Sequence, residues 1–291
     1  MFTEEQSRPV LAKVCGLLGR PVAEAVLLRH HTNAVYAVAG VVVKIAPPAI
    51  TFDCLRTVVD LVQWLVERGF PTVALVADLP QPIEVDGYPV TVWERLDAGV
   101  DRPVTTGELG RLLNDLHALA RPPIKLATLD PRAGIRRSIA ASRILPPSDQ
   151  NVLVRRLGVL SEVWTTGMPL GVGLVQSDPQ VRNALRRADG TPVLADWDGA
   201  CIGPRIWDVA TVAVHCRRFG AGHAFTDFLA AYGRDPREWE HFEDLCRLRE
   251  LQMIATNARK AEPGSAAAAE VHRRVAGLRR GRRELTAWSI L

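Results

Sequence analysis

Two short apolar runs closing on a tight turn most constrain how this chain can fold. Val181-Arg182-Asn183-Ala184-Leu185 leads into the turn Ala188-Asp189-Gly190, and Thr191-Pro192 opens a second run, Val193-Leu194-Ala195-Asp196. An Asp-Gly step between apolar runs predicts a β-hairpin, and pairing its strands returns Asn183 and Asp196 to one neighbourhood. The second run stops abruptly at Asp196-Trp197-Asp198. A carboxylate at the end of a buried strand is costly unless it meets a cation or strong donors. Asp178 precedes the hairpin on a loop, within Gln176-Ser177-Asp178-Pro179-Gln180. Singly, each of these residues reads as a turn-capping Asp or Asn. Together, five residues apart and then returned by a hairpin, they read as a site.

The rest of the chain divides by character. Val10 to Leu18 has apolar side chains on one helical face. Ala25–Leu28, Val35–Val38 and Val41–Ile45 are short apolar segments, the last two joined by Ala39-Gly40 as a hairpin. Thr51 to Arg68 carries Leu55, Val58, Val59, Val62 and Leu65 at helical spacing and ends at Gly69. Val73–Val76, Ile83–Val85 and Tyr88–Trp93 complete a small sheet. Past Gly99 the pattern turns helical: Thr106–Leu119, most of 133–166 with a break at Pro146-Pro147, Trp207–Cys216, Phe225–Tyr232, Trp239–Ala255, and an Ala-rich run from Ser265. The expected class is α+β, a small, mostly antiparallel sheet lobe over residues 1–95 and a larger helical lobe over 96–291 that holds the hairpin. The boundary is placed near residues 94–103.

Composition narrows the function classes. A chain of 291 residues with 47% hydrophobic and 23% charged side chains has enough apolar matter for one large core or two modest ones. The five cysteines are scattered, odd in number and form no CxxC pair, which predicts reduced thiols in a cytoplasmic protein and no zinc site or disulfide scaffold. Met1–Gln6 lacks the apolar core of a signal peptide, and no run approaches the ~18 apolar residues of a membrane span. The net charge of +4 is mild. Arg273, Arg274, Arg279, Arg280, Arg282 and Arg283 gather near the end. They read as the solvated face of a terminal helix, and no nucleic-acid module accompanies them.

A carboxylate, a carboxamide and a second carboxylate in this arrangement are what phosphoryl transfer needs. One Asp orients or deprotonates an attacking hydroxyl, while Asn and the second Asp hold magnesium against phosphates. A hydrolase using Asp178 as nucleophile fits less well, because a small sheet followed by helices is not a doubly wound order. Lys44, in the otherwise burial-ready strand Val41-Val42-Val43-Lys44-Ile45, reads either as an edge lysine reaching water or as a ligand for an anion.

With those residues in view, the chain resembles the aminoglycoside phosphotransferase family, which has a protein-kinase-like two-lobed fold. That family's signature is His-x-Asp, four intervening residues, Asn, then an apolar strand ending in a metal-binding Asp. The resemblance spans roughly residues 22–255. It implies Asp178 as the catalytic base, Asn183 and Asp196 as magnesium ligands, and Asp198 as the acidic residue that often follows. Ile202-Gly203-Pro204 and Trp207-Asp208-Val209-Ala210 are similar to the stretch after the metal loop, implying that Trp207 packs under that loop and Asp208 caps its helix or braces the catalytic loop. It further implies Lys44 at the ATP phosphates, Thr32 and Asn33 of His30-His31-Thr32-Asn33 in the phosphate-covering loop, and backbone groups of Trp93 and Arg95 at the adenine.

The departures are specific. Gln176 stands where the family has His, and Pro179, Gln180, Val181 and Arg182 replace the usual residues before Asn183. Arg182 reads either as a phosphate contact or as a solvent-facing side chain. The helix ending at Gly69 offers Asp53 and Asp60 but no evident Glu to pair with Lys44. The implied activity is transfer of the γ-phosphate of ATP, with GTP as the alternative donor, to a hydroxyl of a small molecule. An aminoglycoside-type antibiotic, a related amino sugar or a metabolite is the expected acceptor. A nucleotide-binding pseudokinase or interaction protein is the competing expectation. Asp235, Glu238, Glu240, Glu243, Asp244 and Glu250 either line a site for a cationic acceptor or cover a solvated helical surface. The fold alone does not choose the acceptor.

Overall fold

The computed structural model describes residues 2–30, 32–96, 102–220, 222–280 and 287–291. His31, residues 97–101 of the expected boundary, Arg282 and Arg283 lie outside the described residues. In chain order the elements are α1 (Glu4–Leu17), β1 (Val26–His30), β2 (Ala34–Val38), β3 (Val41–Ile45), α2 (Phe52–Glu67), β4 (Ile83–Val85), β5 (Tyr88–Glu94), α3 (Thr106–Ala118), α4 (Pro131–Ala140), α5 (Pro147–Leu160), β6 (Val172–Val175), β7 (Ala184–Arg186), β8 (Pro192–Leu194), β9 (Cys201–Pro204), α6 (Ile206–Phe219), α7 (Ala224–Tyr232), α8 (Phe242–Lys260) and α9 (Ala266–Arg279). The class is α+β, with a small antiparallel sheet lobe and a larger helical lobe. The chain divides into two compact units: Met1–Thr105 with Ala120–Leu126 and Val181–Ala200, and Thr106–Leu119 with Ala127–Gln180 and Cys201–Leu291.

In the first unit, α1 begins at a capping box, in which the Thr3 side chain accepts from Gln6 N–H and the Gln6 side chain accepts from Thr3 N–H. Its Val10, Leu11, Val14 and Cys15 are buried against one face of the five-stranded sheet β1-β2-β3-β5-β4, with Tyr36, Val38, Val41, Val43, Ile45, Val90 and Val92. Each such burial contributes about 1.5–3 kcal/mol. Alternation then decides where Lys44 goes. Val41, Val43 and Ile45 take the α1 face, so Val42 and Lys44 take the other. Lys44 lies in register between Val35 and Thr91.

Val73–Val76, expected as a strand, is extended chain without a ladder of its own. Its neighbourhood makes two isolated bridges, Thr72 with Leu194 and Leu75 with Trp93. Pro71, Thr72 and Val73 all bond to Leu194, while Ala74 and Val76 bond to β5, so the segment shares its hydrogen bonds between two partners. The predicted hairpin forms as β7 and β8, but shorter: Val181–Asn183 is a 3₁₀ turn rather than strand.

In the second unit α3 packs on α7 so closely that a Cβ on Gly110 would stand 2.5 Å from the Phe228 carbonyl oxygen. Pro131 and Pro147 each occupy the first turn of a helix, where a missing N–H costs nothing. The antiparallel pair β6–β9 was not evident in the sequence, because four residues per strand with glycines at 173 and 203 carry little periodic signal. The terminal helix is not simply a solvated basic face. Arg274 is 4% exposed, pairs with Glu270 and lies 4.3 Å from the Trp288 ring centroid. Among the described residues no helix is long and apolar enough to cross a membrane.

Candidate functional site

The β7–β8 hairpin ends on the first cluster of interest. Leu194 is buried and fixed from both sides: its N–H donates to Pro71 O, and its carbonyl accepts from the Thr72 hydroxyl and Val73 N–H. Ala195 N–H donates to Asn183 O at 2.8 Å, so the hairpin does set the backbone of Asn183 beside the residue preceding Asp196. Asp196 itself has φ 60° and ψ 66°, a left-handed conformation that costs a non-glycine residue on the order of 1 kcal/mol. Trp197 then anchors the turn. It is 1% exposed, donates its indole N–H to Thr72 Oγ1 at 2.8 Å and meets Phe70 edge-on.

That anchoring presents two carboxylates to cations from the sheet. Lys44 Nζ lies 2.6 Å from Asp198 Oδ2 and 3.5 Å from Asp196 Oδ1. Arg29 Nη2 lies 3.7 Å from Asp196 Oδ2, and Asn33 donates to Asp198 Oδ2 at 3.0 Å. Arg29 follows a β-bulge at the β1–β2 register shift, the kind of irregularity that re-aims a side chain. The lysine's acidic partners are therefore Asp198 and Asp196 rather than Asp53 or Asp60 of α2. Thr32 is exposed, and so is Arg182. Trp93 sits in β5 opposite Val42 and donates its indole N–H to Thr91 Oγ1, while Arg95 N–H donates to Gly40 O at 3.2 Å.

The second unit holds Asp178. Gln176 and Ser177 both donate their backbone N–H to the Asp208 carboxylate, at 2.8 and 2.9 Å. Gln176 Oε1 accepts from Asp178 N–H at 2.8 Å. A neutral amide thus supports this loop where the family has histidine. Ser177 takes φ 73°, which turns the chain immediately before Asp178. Trp207, fully buried, donates its indole N–H to Ser177 O at 3.2 Å. Asp208 is fully buried and braces the loop from the first turn of α6.

Asp208 also accepts from His117 Nε2 (3.2 Å), whose Nδ1 meets the Tyr232 hydroxyl at 2.8 Å. Burial, then the Asp208 charge, pushes the Tyr232 phenol up to about 12. The Asp208 carboxylate can only accept, so the ring N–H at Nε2 is the donor to it.

Asp178 is partly buried, with its side chain 47% exposed. Burial raises its carboxyl, but the Arg249 guanidinium, His215 and Gln180 outweigh that and hold it below the usual carboxylate range. Arg249 Nη2 bonds to Oδ1, His215 Nε2 stands 3.5 Å from the same oxygen, and Gln180 Nε2 donates to Oδ2 at 3.2 Å. Neither Arg249 nor His215 carried a sequence signal. Each is a polar residue within a helical pattern, indistinguishable there from a solvated one.

Residues 25–242 match the model of the phosphotransferase enzyme family, APH. No curated protein sequence matches the chain. Among solved structures it is similar to the amicoumacin kinase hAmiN in complex with AMP-PNP, Ca2+ and Ami, with a TM-score of 0.79, 16% identity, and coverage of 99% of this chain and 98% of that one. It is also similar to the microcompartment-associated aminopropanol kinase (TM-score 0.71, 19% identity, 93% and 95% coverage). A choline/ethanolamine kinase family protein from Mesorhizobium loti is a further likeness (TM-score 0.66, 18% identity, 96% and 95% coverage). At these identities the likeness is one of fold, the protein-kinase-like fold with its small sheet lobe and larger helical lobe. With the family model covering most of its length, the chain belongs to the phosphotransferase enzyme family.

Proposed function

We propose that the protein is a small-molecule kinase that moves the γ-phosphate of ATP to a hydroxyl of a small organic acceptor. The observation that carries this reading is the cluster joining Lys44 to Asp196 and Asp198 at the end of the hairpin. Residues 1–95 are assigned to nucleotide binding and 96–291 to the catalytic loop and acceptor. Asp178 orients the hydroxyl and takes its proton as the new oxygen–phosphorus bond forms. The bond from the γ-phosphorus to its bridging oxygen breaks, and ADP leaves with that oxygen. Lys44, Thr32 and Asn33 are assigned to the phosphates, and the Trp93–Arg95 segment to the adenine. Arg95 N–H already serves Gly40 and Glu94 N–H serves Ala74, so neither is left to meet the base.

Asn183 and Asp196 are assigned to magnesium. The fit rests on donor chemistry: Asp196 is a partly exposed carboxylate, the hard oxygen ligand that magnesium takes, and it is now balanced by Lys44 and Arg29 at 3.5 and 3.7 Å. Among the described residues no three His, Cys, Asp or Glu gather to cage a metal. A magnesium ion would complete its shell from phosphates and water, as this ion commonly does, and would neutralise charge on the phosphates. That hAmiN is complexed with AMP-PNP and Ca2+ supports a nucleotide with a divalent cation. GTP is the alternative donor, and an antibiotic, amino sugar or metabolite is the acceptor class.

A nucleotide-binding protein without transfer is the second reading, favoured by the Arg249 guanidinium on Asp178. The two separate in one assay. Magnesium-dependent ADP release from ATP, measured with and without a panel of antibiotics and hydroxylated metabolites, rises with at least one acceptor if the protein is a kinase. A panel in which no acceptor changes the rate overturns the kinase reading.

A further inference from the structure

The surroundings of Asp178 bear on the acceptor's chemistry. Arg249, on α8, is 7% exposed and offers its guanidinium in an uneven way. Nη1 donates to Gln252 Oε1 and Nη2 to Asp178 Oδ1, while Nε is buried with no hydrogen-bond partner. Nε and Nη2 form the side-on edge of the fork, the edge that a planar carboxylate fills with two parallel bonds. Asp178 fills half of it. His215 Nε2 is also buried without a hydrogen-bond partner, 3.5 Å from the same Asp178 oxygen. Gln180 donates to the other. Donors and positive charge thus converge where the acceptor's hydroxyl must come.

Four of the six acids that would favour a cationic acceptor are already engaged by arginines, while Glu238 and Glu240 are exposed. Glu243 pairs with Arg217, Glu250 with Arg218, Asp244 with Arg247 and Asp235 with Arg237. An ammonium brought to Asp178 would instead meet the Arg249 guanidinium.

Resting on the kinase reading above, we infer that the acceptor is a hydroxy acid. Its carboxylate occupies the Nε–Nη2 edge of Arg249, displacing Asp178, and the freed Asp178 receives the acceptor hydroxyl. The acid group is thereby a specificity element and also the trigger that releases the base. Arg249 is a binding residue for the acceptor, and the ion pair seen here is the resting state.

The test is a matched series in which one terminal carbon is a carboxylate, a hydroxymethyl or an aminomethyl group: gluconate, glucitol and 1-amino-1-deoxyglucitol, and glycerate, glycerol and 3-amino-1,2-propanediol. With magnesium and ATP, wild-type protein is expected to favour the acid of a set at least tenfold in kcat/KM over its neutral and amino counterparts. Arg249→Lys, which keeps the charge and loses the fork, is expected to raise KM for the acid at least tenfold with KM for ATP unchanged. Preference for the amine or the neutral member, or an unchanged KM for the acid in R249K, overturns the inference while leaving the kinase reading standing. If no member is phosphorylated, the loss falls on transfer, and calorimetric titration of gluconate and glycerate into the protein decides the inference. Binding that R249K weakens tenfold supports it, and no binding of either acid overturns it. The wild-type comparison needs no variant and so does not depend on R249K folding.

Discussion

Asp208 gathers three donors on one fully buried carboxylate: Gln176 N–H, Ser177 N–H and His117 Nε2–H. Replacing it with Ala leaves those donors in the interior without an acceptor. Asp208→Ala is expected to lose about 3 kcal/mol or more of stability, read from the urea midpoint, because unmade buried bonds cost far more than made ones return. Asp196 predicts the opposite pattern. It is partly exposed and in a left-handed conformation, so Asp196→Ala should shift stability by less than about 1 kcal/mol while magnesium-dependent turnover disappears. Full turnover in D196A contradicts its assignment. The sequence exposes Asp178, Asn183, Lys44 and Asp196 because residue type and spacing both mark them. It hides His117, Tyr232, His215 and Arg249, since each reaches its partner from a helix distant in sequence, and nothing local sets it apart.

Among the elements, the hairpin is legible from its turn. Asp189 and Gly190 supply the chemistry of the bend, with Thr191 N–H on Asp189 Oδ1 at 2.8 Å and Gly190 at φ 86°. What the turn does not reveal is that its strands are three residues long, since Val181–Asn183 folds as a 3₁₀ turn, or that Arg186 reaches the carbonyls of Arg102, Pro103 and Gly190. Val73–Val76 misled for a related reason: apolar content predicts burial, but whether buried chain pairs with one strand or bridges two is a tertiary matter. Gly110 tests the helix layer. Gly110→Ala would force its new methyl against the Phe228 backbone, where no side chain can move aside, and should cost about 1–3 kcal/mol despite the better helix propensity of Ala. A stabilised G110A, measured by thermal melting, contradicts the close α3–α7 approach.

For the molecule as a whole, titration gives stability a plateau. Burial raises the Asp178 and Glu270 carboxyls, but arginine partners outweigh it and leave both lowered. Their contribution is present above the ordinary carboxylate range and lost as pH falls through the folded values. Burial pushes Cys216 up to about 11 and Cys201 up to about 12, from 9.0. Tyr232, likewise raised first by burial, rises from 10.0 to about 12. These raised groups contribute fully below their unfolded values, and that contribution is lost as pH climbs toward the folded ones. The denaturation midpoint is therefore expected to hold between roughly pH 5 and 9 and fall on both sides. A midpoint unchanged from roughly pH 9 to 11 contradicts the buried thiols. Phosphoryl transfer itself is read by phosphorus NMR of the complete reaction. With magnesium, ATP and an accepted hydroxyl compound, wild-type protein should build a new phosphomonoester resonance as ATP is converted to ADP, and Asp178→Asn should build essentially none. An equal phosphomonoester signal from D178N, or ATP loss that yields only inorganic phosphate, would contradict transfer by way of Asp178.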